Sequence, residues 1–129
     1  MAKLAAMTGT DIGRLIAGRY RVEALLGRGG FGAVYRCRHL QTGHGLVLKW
    51  LRPHDADDPG RAERFRRESR LAAGLRHPHT VRVFDCGETD DGGLYLAMEL
   101  LEGHDLAVEL KGQVALAPER VARIGVAVC

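Results

Sequence analysis

Four glycines fall within six positions in Gly27-Arg28-Gly29-Gly30-Phe31-Gly32, and no other stretch constrains this chain as strongly. A backbone with so few Cβ atoms takes positive φ at little cost and lets a ligand approach closely. Its N–H groups suit an anion, above all a polyphosphate. The flanks decide how the run is used. In a dinucleotide-binding fold such glycines open a helix. Here Tyr35 and Cys37 alternate with Arg36 and Arg38, which is the period of a strand. The preceding residues alternate too, with Tyr20, Val22, Ala24 and Leu26 expected on one face. The glycines therefore form the tip of a hairpin that can fold over a nucleotide as a lid. No Gly-Lys-Ser/Thr closes the run, so a P-loop is excluded.

The rest of the chain reads as follows. Residues 18–26 and 33–39 are the hairpin strands, and 41–45 a turn by composition. Residues 46–51 are nearly all apolar, as in a central strand buried on both faces, yet Lys49 lies inside the run. An unpaired charge there would be costly, so Lys49 requires an explanation. A loop is expected over 53–60 and a helix over 61–75, with Ala62, Phe65, Ser69 and Ala72 at helical spacing and Gly74 and His77-Pro78 at its end. Strands follow at 80–86 and 94–100, joined by an Asp-Asp-Gly-Gly turn. A short helix covers 104–111, and a last helix opens at Pro118-Glu119 with an apolar stripe of Val121, Ile124, Gly125 and Val128. Residues 1–17 are expected to be a flexible or loosely docked lead-in.

At 129 residues the chain holds one domain at most. The net charge of +3 is matched by residues 61–70 alone, with five Arg against two Glu, which favours a solvated helix face over a nucleic-acid surface. Cys37, Cys86 and Cys129 form no spaced pair, so a disulfide framework is not indicated and a reducing, cytoplasmic setting is. No metal-ligand spacing is present. No apolar run of about 18 residues suggests a membrane span, and no h-region suggests a signal peptide.

Strand, Gly-x-Gly-x-x-Gly-x-Val, strand, and then a strand carrying lysine resembles the small lobe of a protein kinase. Arg19-Tyr20-Arg21-Val22 before the glycines, and Arg66-Arg67-Glu68 and His77-Pro78 after them, resemble the bacterial eukaryotic-like serine/threonine kinases most closely. The resemblance runs from about Gly18 to the last residue. It implies an α+β fold: a five-stranded antiparallel sheet with one major helix over residues 18–101, then the hinge exit and the beginning of the large lobe over 102–129. Kinases of this class often carry a membrane span beyond the kinase domain.

The resemblance also implies roles. Lys49 would contact the α- and β-phosphates of ATP, and lysine is rare here, three residues against sixteen arginines. Glu68 would hold Lys49 toward phosphate, with Glu63 as its rival and a helix ion pair with Arg64 as the plainer reading. Gly27, Arg28, Gly29, Gly30 and Gly32 would bring backbone N–H groups to the phosphates, with Phe31 at the lid tip. Leu26, Val34, Val47 and Met98 would wall an adenine pocket, although each also suits ordinary core packing. Family members usually carry Ala where Val47 stands, and the two extra methyl groups narrow the pocket. Met98-Glu99-Leu100-Leu101 resembles the hinge, where Glu99 C=O and Leu101 N–H would pair with the adenine edge. Asp105 is placed to reach the ribose hydroxyls, or equally to cap a helix.

No His-Arg-Asp-x-x-x-x-Asn and no Asp-Phe-Gly occurs, and the Ala117-Pro118-Glu119 that opens the last helix follows no activation loop. The expectation is the ATP-binding N-terminal portion of a serine/threonine kinase. Within the longer parent it would serve ATP- and Mg²⁺-dependent transfer to protein Ser or Thr, and it would be inactive alone. The alternatives are a stand-alone nucleotide- or partner-binding regulatory module and a purely structural interaction protein. An apolar last helix without a partner would drive self-association.

Overall fold

The computed structural model describes residues 11–29, 32–112 and 115–128. Six antiparallel strands form one sheet: β1 (Leu15–Ile16), β2 (Tyr20–Gly29), β3 (Gly32–His39), β4 (Gly45–Leu51), β5 (Val83–Glu88) and β6 (Leu94–Met98), in the order β1-β2-β3-β4-β6-β5. The helices are α1 (Pro53–Ala56), α2 (Pro59–Gly74), α3 (Leu106–Lys111) and α4 (Pro118–Val128). The α+β class holds, with one strand more than the five expected.

The extra strand lies in the expected lead-in. Ile16 pairs with Tyr20 and Leu15 with Arg21. Positive φ at Ala17 and Gly18 turns the chain back on itself, and Arg19 N–H donates to Ile16 C=O at 3.1 Å. Asp11 and Ile16 are buried. The segment from Asp11 onward is thus part of the sheet's packing rather than loosely attached.

Each face of the sheet has its own core. One face buries Tyr20, Val22, Tyr35, Cys37, Leu48, Trp50, Tyr95 and Ala97 under the N-terminal segment, with Ile16 among them. The other buries Leu51, Leu94 and Leu96 against Ala62 and Phe65 of α2. In β3 the expected alternation holds, with Ala33, Tyr35 and Cys37 buried. In β2 it holds only as far as Val22. Register shifts fall between Val22 and Ala24 and between Leu25 and Gly27. Each shift inserts a residue and turns the following side chains over. Leu25, opposite Tyr35, joins the core in place of Ala24 and Leu26, and Leu26 is 53% exposed.

Strand β4 is central but not evenly buried. Leu46, Leu48 and Trp50 are enclosed, while Val47 and Lys49 are half-buried on the α2 side. Helix α2 begins at Pro59 rather than residue 61, because Asp58 caps it by accepting from Gly60 N–H and Arg61 N–H, with Pro59 in the first turn. Part of the expected loop is the single turn α1. Residues 77–80 form a turn in which Thr80 N–H and Oγ1 both donate to His77 C=O, and the next strand starts only at Val83.

Candidate functional site

The register of β2, β3, β4 and β6 brings the candidate residues into rows. Gly27 lies opposite Val34, Val34 opposite Lys49, and Lys49 opposite Leu96. A second row holds Arg36, Val47 and Met98. Cross-strand partners share a face, so Val34, Val47, Lys49 and Met98 form one wall on the side that α2 covers. Leu26, extruded by its bulge, stands at the rim of the glycine hairpin.

Helix α2 supplies the partner for the lysine. Lys49 Nζ lies 3.4 Å from Glu68 Oε2. The two side chains are 24% and 45% exposed, so the pair adds only about 0.2–1 kcal/mol to stability. Its effect is geometric: it fixes where the ammonium points. Phe65, three residues before Glu68 on α2, sets its ring centroid 6.0 Å from Nζ and so borders the same charge. The rival acid Glu63 is occupied by Arg70 at 3.2 Å. Phe65 and Leu96 are site neighbours that motif reading overlooked. Phe65 was legible from its three-residue spacing to Glu68. Leu96 was not, because β6 is buried on both faces from Leu94 to Ala97 and shows no alternation.

The glycine run divides into two kinds. At Gly32 φ is +112°, and an added Cβ would clash with the carbonyl of Trp50, 3.0 Å from its carbon. Glycine is required there by the fold itself. At Gly27 and Gly29 a Cβ would meet nothing within 4 Å. Packing among the described residues does not demand glycine at those two positions, which leaves room for something else to approach the backbone. Arg28, between them, is exposed. Gly30 and Phe31 lie outside the described residues.

Beyond Met98 the chain leaves the sheet. Glu99 N–H donates to Arg82 C=O at 2.8 Å, and Glu99 Oε2 accepts from Arg82 N–H at 3.2 Å. These bonds hold the exit segment by one edge. Glu99 C=O and Leu101 N–H take no backbone partner among the described residues. Asp105 caps α3, its Oδ1 accepting from Val108 N–H at 2.8 Å. One oxygen is thereby committed to the helix, and Oδ2 is left for any other role.

No three His, Cys, Asp or Glu side chains gather into a metal-binding group among the described residues. No helix among them is long and apolar enough to cross a membrane.

This arrangement is shared with known proteins. A family model described as "Protein kinase domain" matches residues 20–129. The serine/threonine-protein kinase pkn3 of Myxococcus xanthus is 43% identical over 113 residues, 88% of this chain and 21% of that protein. The serine/threonine-protein kinase PknH of Mycobacterium tuberculosis is 40% identical over 107 residues, 83% of this chain and 17% of that protein. The crystal structure of the M. tuberculosis PknI kinase domain superposes with a TM-score of 0.71 at 35% identity, covering 91% of this chain and 47% of that one. The chain thus spans about a fifth of the length of the first of these relatives.

Proposed function

The chain belongs to the protein kinase family, and from that premise we propose that residues 18–101 are its nucleotide-binding small lobe and residues 102–129 the hinge exit and start of the large lobe. The longer protein would transfer the γ-phosphate of ATP to Ser or Thr of a protein substrate. The observation that carries this reading is the 3.4 Å contact between Lys49 and Glu68 on the face shared with Val34 and Gly27. A lysine fixed by an acid under a glycine hairpin is an anchor for phosphate oxygens.

In this reading Lys49 binds the α- and β-phosphates and Glu68 holds it in place. The backbone N–H groups of the run 27–32 cover the phosphates, and the free space at Gly27 and Gly29 is where the nucleotide approaches. Leu26, Val34, Val47 and Met98 contact the adenine faces. Glu99 C=O and Leu101 N–H read its edge, and Asp105 Oδ2 reaches the ribose. The kinase family works with magnesium, which neutralises charge between the phosphates. We assign it no ligand among the described residues. Catalysis would take place in the cytoplasm, where ATP is held, and the apolar face of α4 would mediate self-association of the isolated chain.

Two measurements test the proposal. A fluorescent ATP analogue should bind the chain saturably and be displaced by ATP, and Lys49→Met should weaken that binding at least tenfold, a difference of about 1.4 kcal/mol. In the longer protein the same substitution should abolish transfer of labelled phosphate while leaving the circular dichroism spectrum unchanged. Undiminished transfer by Lys49→Met would remove the lysine from its role.

A further inference from the structure

We infer that Asp11 is a positioning residue for nucleotide binding, acting from the far face of the sheet through Tyr35, Arg52 and Trp50. The role rests on the reading above, in which Gly27, Val34 and Lys49 face the nucleotide. Val34 and Lys49 are cross-strand partners on the α2 side. The next residue along each strand, Tyr35 and Trp50, points to the other side, where both are buried with ring centroids 6.4 Å apart. Successive side chains alternate across one shared backbone. Whatever fixes Tyr35 and Trp50 therefore also fixes the strands from which Val34 and Lys49 project.

Asp11 holds both rings. It is wholly buried, and its Oδ2 accepts from the Tyr35 hydroxyl and from Arg52. Arg14 stands 4.0 Å from its Oδ1. The guanidinium carbons of Arg14 and Arg52 lie 4.7 Å and 5.6 Å from the centre of the Trp50 ring, within cation–π range. Enclosed, charge-assisted bonds of this kind fix geometry more firmly than exposed ones.

Each group so held leads to a part of the site. Gly32 packs so closely on the Trp50 carbonyl that a Cβ would clash, so Trp50 is the seat of the glycine hairpin. Arg52 C=O accepts from Asp55 N–H and Ala56 N–H at 3.0 Å and 2.9 Å, which opens the connection to α2 and Glu68. The segment also grips β2: Gly13 N–H donates to Val22 C=O at 2.8 Å, and Val22 N–H to Arg14 C=O at 2.9 Å. Val22 is the last residue before the two register shifts that precede Gly27, so the grip falls where regular pairing ends. Without the Asp11 carboxylate, the Arg52 side chain, 27% exposed, is free to turn to water. The hairpin and the connection to α2 then lose their common anchor.

Positioning and mere stability have different signatures. Lost stability raises an apparent Kd only by the factor one plus the unfolding constant, whereas lost positioning raises the Kd of the folded molecules too. The test measures both on the full chain. Urea unfolding is followed by the emission of Trp50, the only tryptophan, and a fluorescent ATP analogue is titrated into each variant. After correction for unfolding, Asp11→Ala should raise the Kd about three- to tenfold. Asp11→Asn and Arg14→Gln should raise it less. Tyr20→Phe serves as the comparison, because it removes a 2.7 Å bond to Asp85 in the same core that involves neither Asp11 nor Trp50. It should leave the corrected Kd unchanged. If Asp11→Ala does not fold, Asp11→Asn and Arg14→Gln decide. A corrected Kd that is the same in the unaltered chain and in every folded Asp11 and Arg14 variant overturns the role. So does an equal rise in Tyr20→Phe. An unaltered chain that does not bind the analogue is a separate result, which removes the nucleotide reading and this role with it.

Discussion

The hydroxyl of Tyr35 donates to the carboxylate of Asp11, 24 residues earlier in the chain, inside the core of the sheet's outer face. Arg52 binds the same oxygen from the end of β4, and Arg14 approaches the other at 4.0 Å. One buried acid thus ties the N-terminal segment to β3 and to the end of β4. Asp11→Ala would leave the Tyr35 hydroxyl buried without its acceptor and Arg52 without its counter-charge. The expected loss is about 1–3 kcal/mol, read as a lower urea midpoint. Asp11→Asn, which keeps one acceptor, should lose less. A midpoint unchanged in both variants would show that the segment is not held by this bond.

The glycine run should divide under mutation as it does in structure. Gly32→Ala sets a Cβ against the Trp50 carbonyl at φ +112°, so stability should fall by about 2 kcal/mol or more. Gly27→Ala meets open space and should leave stability within about 0.5 kcal/mol, while weakening nucleotide binding. Thermal melts and nucleotide titration on both variants separate the two effects. A Gly27→Ala variant with undiminished nucleotide affinity would argue against backbone approach at that position.

Much of this was open to reading because the motifs report directly on chemistry. Lys49 in an apolar strand demanded a partner, and Glu68 provides it at 3.4 Å. The alternation of Tyr35 and Cys37 with Arg36 and Arg38 placed β3 correctly. What escaped reading was context-dependent. Bulges in β2 have no local signature among Val22, Ala24 and Leu26, since which residue is extruded depends on the partner strand. The docking of Asp11 depends on Tyr35 and Arg52, both distant in sequence. Gly18 was expected to open the first strand, and nothing local to it reveals the turn at Ala17 and Gly18 or what the preceding segment folds onto.

Alkaline pH should weaken the fold. Burial holds the Cys37 thiol up at about 12 in the folded chain, against 9.0 for an ordinary thiol. Burial also raises Tyr20 and Tyr95, helped by the Asp85 carboxylate, and Tyr35, helped by Asp11. Each is an acid whose proton binds more tightly in the folded state. Below the unfolded value their contribution is complete. As pH climbs beyond it, the unfolded chain sheds protons that the folded chain keeps, and stability falls by at most about 1.4 kcal/mol per pH unit for each group. The melting temperature should therefore hold near pH 8 and drop between pH 9 and 11. A level melting temperature across that range would contradict the assignment.

Helix α4 carries the last prediction. Val121, Ile124 and Val128 recur at helical spacing. No residue of the helix is buried, and Val121 and Val128 are 53% and 82% exposed. Arg120 pairs with Glu109 of α3 and lies one turn before Ile124, which is half-buried, while Val121 and Val128 face solvent. A contiguous apolar face of this kind gains by leaving water, at about 25 cal/mol for each Å² removed. A second copy of the chain offers the same stripe. Sedimentation should show the average mass rising above 14.1 kDa with concentration. Replacing Val121 and Val128 together by Glu should hold it there, because two carboxylates cannot enter an apolar contact unpaired. If the unaltered chain stays monomeric at every concentration, the stripe does not drive association. If the double variant still associates, the contact lies elsewhere, and the exposed face of α3 around Leu106 and Leu110 becomes the next surface to change.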